Sequence, residues 1–288
     1  MLAAMRRVRP MSAEIAGLRT VWLQADSDAT PTLYVHGVPS AGFEWREFLR
    51  RGGGLAPDLP GFGRSAKDDS FDVSIAGYGT FIEAFVDALE LERINLVVHD
   101  WGAVALAFAQ RRPERIERLV LVDAVPLLPG YAWHRTAKIW RTPLLGELSM
   151  AATTPTVTRL LTRESNVTPG PLPESWLQEA LSTLDSGTQR AILRLYRSAP
   201  PDALAAAGEH LAAIGAPALV IWGERDPYLP PRFARDYAAV LGAELELLDA
   251  GHWPWLDRPE VIDRVVAFVN GAPAAGEIPP RAAAEHID

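Results

Sequence analysis

The sequence predicts an α/β fold, a mostly parallel central sheet with helices on both faces, interrupted by a helical insertion. Three observations carry this. Short β-rich apolar runs alternate with helical periodicity along most of the chain. The alternation stops after Asp123 for about ninety residues of helical, Pro-rich sequence and resumes at Ala218. The 288 residues, 48% hydrophobic and 22% charged, suffice for a full core and exclude disorder, collagen and coiled coil.

The elements follow in order. Residues 15–23 read as a strand and 32–35 as the next. Residues 55–58 give a short strand closed by Leu59-Pro60-Gly61-Phe62-Gly63-Arg64-Ser65, whose Pro and Gly residues cannot continue it. From Ser74 to Leu91, Ile75, Tyr78, Phe81, Ile82, Phe85, Val86 and Leu89 recur at three- and four-residue steps, the pattern of a helix with one face on the sheet. Residues 94–98 read as a fully buried strand, 103–109 as a helix apolar on every side, and 119–122 as another strand. Beyond the insertion come a strand at 218–222, a helix near 232–241, a strand at 244–248 and a helix opened by Pro259. The residues from about Gly271 read as a tail.

Charge and composition remove several classes of function. The net charge is −8 and no stretch gathers the Lys and Arg clusters that a phosphate backbone requires, so no nucleic-acid partner is expected. Zero Cys excludes disulfides, thiolate-bound zinc, iron–sulfur ligation and a Cys nucleophile, and fits a reducing compartment. The six His show no HExxH spacing, so neither metal nor cofactor is expected. The N-terminus lacks the apolar core of a secretory signal, and no run approaches the roughly 18 apolar residues of a membrane span. A cytoplasmic monomer or homodimer, with no membrane partner, is the expectation.

In open α/β sheets, ligands sit beyond the carboxyl ends of the strands. Four segments occupy such places: His36-Gly37-Val38-Pro39, His99-Asp100-Trp101-Gly102, Gly223-Glu224-Arg225-Asp226-Pro227 and Gly251-His252-Trp253. Taken singly, each has an ordinary structural reading. Asp100 before a helix is a good N-cap, Asp226-Pro227 a turn pair, and His252 before two Trp a core histidine. Their joint placement, acid, acid and histidine after successive strands, favours a catalytic triad.

That order and the insertion resemble the α/β-hydrolase fold over nearly the whole chain, with Asp where its nucleophile elbow usually carries Ser. The resemblance implies a core of residues 1–125 and 216–288, a helical cap over 126–215, and a hydrolase of small hydrophobic molecules that uses water as co-substrate. Asp100 is the nucleophile: a carboxylate displacing a leaving group from saturated carbon leaves an ester that water can hydrolyse, where a serine would leave a stable ether. His252 is the base for that water, Asp226 orients His252, and the backbone N–H groups of Val38 and Trp101 receive the oxyanion. The loop of His36, Gly37 and Pro39 flanks the substrate, Gly37 allowing a close turn and Pro39 stiffening it.

Two families share the aspartate nucleophile, the epoxide hydrolases and the haloalkane dehalogenases. An epoxide oxygen leaves as an alkoxide and needs an acid, usually a cap tyrosine. A halide needs only N–H donors, commonly the Trp after the nucleophile with an Asn in the HG loop or a cap Trp. Tyr196 lies 30 residues before Asp226 and resembles the second cap tyrosine of epoxide hydrolases, which makes it the expected proton donor; Tyr131 stands early in the insertion as a substitute for the first. Trp45 and Pro259 also look like that family, and Val38 stands where many dehalogenases place Asn. Val98 and Pro60-Gly61-Phe62-Gly63 are closer to dehalogenases, and Trp133, Trp140 and Trp176 offer a cap Trp. Epoxide hydrolysis is the leading expectation, dehalogenation the alternative, and a ligand-binding protein with an idle triad the third.

Overall fold

The computed structural model describes residues 5–27, 29–167 and 172–271. From residue 272 onward, the expected tail lies outside the described residues. The chain order is β1 (Arg9–Ile15), β2 (Leu18–Ala25), β3 (Thr32–Val35), α1 (Arg46–Gly52), β4 (Gly54–Pro57), α2 (Ile75–Ala88), β5 (Ile94–Asp100), α3 (Leu106–Arg111) and β6 (Ile116–Ala124). Among the described residues, six helices without a strand follow: α4 (Arg135–Arg141), α5 (Leu145–Ala151), α6 (Pro155–Leu161), α7 (Glu174–Thr183), α8 (Ser186–Ser198) and α9 (Pro201–Ala207). The sheet then resumes with β7 (Ala218–Gly223), α10 (Arg232–Leu241), β8 (Glu244–Leu248), α11 (Pro254–Asp257) and α12 (Glu260–Val269).

Among the described residues the strands form one eight-stranded sheet in the order β1-β2-β4-β3-β5-β6-β7-β8. β2 pairs antiparallel with both β1 and β4, and the remaining pairs are parallel. Alternation along the central strands supplies both faces, because successive side chains point to opposite sides. Leu119 and Leu121 of β6 join the core beneath α2, α3 and α10, while Val120 and Val122 join the core beneath α1 and α12.

Local chemistry fixes the ends of the helices. The Ser74 hydroxyl accepts the Gly77 N–H at 3.1 Å and starts α2 one residue inside the expected span. Gly242, in the left-handed region at φ +61°, ends α10. The apolar stretch 103–109 divides into a tight 3-10 turn, Trp101–Ala105, and the short α3.

One expectation is corrected. Residues 15–23 are not one strand: the chain reverses at Ala16 and Gly17, both at positive φ (50° and 77°), and pairs Arg9–Ile15 with Leu18–Ala25 as a hairpin. The missed strand β1 is an exposed edge, so no buried alternation marks it.

Candidate active site

β5 delivers Asp100 on a turn that few side chains tolerate. Its φ of 47° and ψ of −121° lie in a sparsely populated region, where a non-glycine residue costs about 1–3 kcal/mol. Two glycines let the surrounding backbone close around it. A Cβ on Gly102 would fall 2.1 Å from the Val35 carbonyl oxygen, and one on Gly37 would fall 2.5 Å from the Asp100 Cβ. Gly102→Ala should therefore destabilise the fold by about 3 kcal/mol, as overpacking against rigid backbone does, and differential scanning calorimetry should show a Tm lowered by roughly 6 °C or more. An unchanged Tm would contradict the close packing of the elbow.

Asp100 caps nothing: its side chain makes no capping bond to the turn that follows. Instead Oδ2 accepts the Val38 backbone N–H at 2.8 Å. Burial raises its pKa, and the charges of His252 and His99 with the backbone N–H groups of Val38 and Trp101 offset part of that rise. The two expected oxyanion donors thus meet on the nucleophile candidate.

The His252 ring lies between two carboxyls. Its Nδ1 stands 2.7 Å from Asp226 Oδ2, and its Nε2 stands 4.0 Å from Asp100 Oδ1. Asp226 Oδ1 accepts the backbone N–H groups of Tyr228 (2.7 Å) and Leu229 (3.0 Å). Burial opposes the charge on Asp226, but His252 and these two N–H groups hold the carboxyl below its usual range. Burial likewise opposes charge on His252, yet Asp226, Asp100 and Glu44 carry its pKa above the ordinary value. An ionised Asp226 accepts a hydrogen bond from Nδ1–H, which fixes the tautomer and leaves the Nε2 lone pair toward Asp100. The 4.0 Å gap excludes a direct hydrogen bond there. Such a ring can accept a proton from a water attacking the Asp100 carboxyl carbon.

A third carboxyl, Asp123 at the end of β6, was not singled out from sequence as a site residue. It is fully buried and accepts the Gly223 N–H at 3.0 Å. Burial and the adjacent Asp226 charge push it well above the carboxylate range, so Asp123 holds a proton and Asp226 alone carries the charge.

A cavity of about 130 Å³ opens over this group, walled by Val38, Pro39, Asp100, Tyr196, Tyr228 and His252 with further residues of the helical segment. Tyr196, on α8, is both core and wall. Its ring meets Trp101 at 5.1 Å, Trp133 at 5.0 Å and Trp140 at 5.0 Å, and burial followed by the Asp100 charge keeps its hydroxyl protonated. Tyr131 is buried, its hydroxyl has no partner, and its pKa is raised by burial and then by the charges of Asp100 and Asp226. The buried Trp101 indole N–H makes no well-formed hydrogen bond, the Tyr196 hydroxyl being the polar group it approaches, whereas that of Trp133, stacked on Trp101, is spent on the Ala199 carbonyl at 2.8 Å. Trp140 reaches the cavity wall; Trp176 packs on Phe43 and Trp253 instead. His36 does not line the cavity. Its Nε2 accepts the Leu59 N–H at 3.0 Å and its Nδ1 lies 2.8 Å from the Gly37 carbonyl, so it fixes the loop.

Sequence reasoning also missed Tyr228, whose ring stands perpendicular to that of His252 with centroids 5.1 Å apart and whose hydroxyl is 2.9 Å from Ser165 Oγ. Its place two residues after Asp226 was the available signal.

With this geometry in place, residues 33–265 match the model of the alpha/beta hydrolase family. The chain belongs to that family. A relative described as a haloalkane dehalogenase, from Mesorhizobium japonicum, is 30% identical over 272 residues, covering 85% of this chain and 86% of the relative. The crystal structure of haloalkane dehalogenase DbeA from Bradyrhizobium elkani USDA94 superposes with a TM-score of 0.78 at 27% identity, over 92% of this chain and 98% of that one. The epoxide hydrolase CorEH without ligand gives a TM-score of 0.79 over 92% of this chain and 99% of that one, but at 20% identity it shares the fold alone. No helix among the described residues of this alpha/beta hydrolase is long and apolar enough to cross a membrane.

Proposed function

We propose that this hydrolase removes halide from a small haloalkane through an alkyl ester on Asp100. The likeness to haloalkane dehalogenases over most of the chain carries the reading, and the Trp101 indole N–H beside the nucleophile supports it. Asp100 Oδ1 attacks the halogen-bearing carbon as the carbon–halogen bond breaks, and the halide departs with the electron pair toward the Trp101 N–H. Water then adds to the ester carbonyl and gives its proton to His252 Nε2, while the Val38 and Trp101 backbone N–H groups receive the oxyanion. Collapse expels the alcohol, which takes the proton from His252. The helices between β6 and β7 act as the cap that keeps bulk water from the ester.

This order of preference reverses the one expected from local sequence. A second reading, opening of an epoxide to a vicinal diol, rests on Tyr196, a protonated hydroxyl on the cavity wall that feels the Asp100 charge. Incubation with a primary bromoalkane and, separately, a terminal epoxide decides between them. Bromide and alcohol released in equal amounts is the expected result. Diol without bromide would replace the halide reading by the epoxide one, and no product from either would leave a ligand-binding protein.

A further inference from the structure

We propose that Glu44 and His99 form a buried positioning pair that sets the oxyanion donor and the histidine base together for hydrolysis of the ester. The inference rests on the reading of Asp100 as the ester-forming residue.

The Glu44 side chain is fully buried and that of His99 is 1% exposed, with His99 Nδ1 3.4 Å from Glu44 Oε1. Burial opposes the charge on Glu44, but His99 beside it, His36 and the Ser40 hydroxyl hold its carboxyl below the usual range. Taking a carboxylate out of water costs several kcal/mol, which an apolar side chain in this core would avoid. The contacts of Glu44 indicate what it does there. Oε1 accepts the Gly37 N–H at 3.2 Å and Oε2 accepts the Ser40 hydroxyl at 2.5 Å, which fixes the loop after β3. The next N–H along that loop, that of Val38, is the one that reaches Asp100 Oδ2.

His99 extends the same device to the other loop. A carbonyl and an ionised carboxylate only accept, so the 2.9 Å contact of His99 Nε2 with the His252 carbonyl and the 3.4 Å approach of Nδ1 to Glu44 Oε1 both call for ring N–H groups, and His99 serves the pair as an imidazolium. The two imidazole rings lie 4.8 Å apart. One carboxylate therefore ties the Val38 donor through the preceding Gly37 N–H, and the His252 backbone through His99, to a common point behind Asp100. Both tied groups act on the oxyanion and the attacking water. Neither touches the carbon that Asp100 Oδ1 attacks, and their part in the first step is limited to easing the ionisation of Asp100.

The pair should thus serve the second chemical step and spare the first. In steady-state kinetics with a bromoalkane, Glu44→Gln and His99→Phe are expected to lower kcat at least about tenfold, with KM falling in proportion so that kcat/KM stays within about twofold. Intact-protein mass spectrometry during turnover should show the alkyl ester accumulating. His99→Gln retains a donor for the His252 carbonyl and should recover most of the kcat lost in His99→Phe. A loss of kcat/KM equal to the loss of kcat, without ester, would overturn the proposal and leave the pair as packing only. The wild type and His252→Gln serve as controls: absence of any ester in His252→Gln would strike at the Asp100 reading itself.

Discussion

Replacing His252 by Gln is expected to leave one equivalent of substrate bonded to Asp100 and to lower steady-state turnover by at least about a thousandfold, the scale of a lost general base. Asp100 can attack without help once ionised, because only its own charge is required. Hydrolysis is different, since the attacking water must lose a proton as it adds to the ester. The geometry brings the His252 Nε2 lone pair toward that carbon, 4.0 Å from Asp100 Oδ1. Gln cannot take the proton, so halide should be released once per site and the protein should gain the mass of one alkyl group, located to Asp100 by peptide mapping. Turnover at the wild-type rate, or a group found on another residue, would refute the mechanism. The same chemistry sets the pH dependence. Asp226, Asp100 and Glu44 hold the His252 pKa above its ordinary value, against the effect of burial; His99, His134 and the Tyr228 ring also face the imidazole. His252 acts as a base only when neutral, and the ester leaves Asp100 uncharged, so the hydrolytic rate should fall as pH drops through a His252 midpoint held up by Asp226 and Glu44 and lying below that of the free enzyme. A hydrolytic rate that does not fall on acidification would contradict His252 as the base.

How much of this was legible in the sequence depends on the range of the interactions involved. The α10 and β8 bounds agree with the periodicity because each element carries its own pattern, an amphipathic face in one and a short bounded run in the other. β1 escaped because it is a polar edge, and α1 because its seven residues give too little periodicity to stand out after the turn that precedes them. Asp100, Asp226 and His252 were legible because a sheet places the residue after each strand at one rim, and sequence order alone identifies those positions. Glu44, Asp123 and Ser165 were not. A carboxylate inside the first turn after a loop reads as surface, and only the tertiary packing of β5 against the β3 loop puts Glu44 beside His99. Tyr196 shows the same limit from the other side. Its helical neighbours Ile192, Leu193 and Leu195 are buried and suggest core, yet Tyr196 is part of the cavity wall as well.

The choice of leaving group is expected to divide between two donors that touch each other. The Trp101 indole stacks on Trp133 at 5.3 Å and meets Tyr196 at 5.1 Å; Trp101→Phe keeps an aromatic ring there but removes the indole N–H. Removing one preorganised donor from a developing anion typically costs about 3 kcal/mol, so halide release from a bromoalkane should slow by about a hundredfold in a single turnover. Tyr196→Phe removes an O–H that a departing halide, a weak base, does not require as an acid, and the same reaction should slow by less than about tenfold. With an epoxide the ranking should invert, because the leaving alkoxide needs a proton and burial keeps the Tyr196 hydroxyl protonated as a source of one. Rapid-quench measurement of the alkylation step for both variants, with thermal unfolding to show that the aromatic cluster survives, gives the comparison. If Tyr196→Phe stops bromide release while Trp101→Phe leaves it intact, the halide does not sit against the indole, and the tyrosine hydroxyl is the donor that receives it.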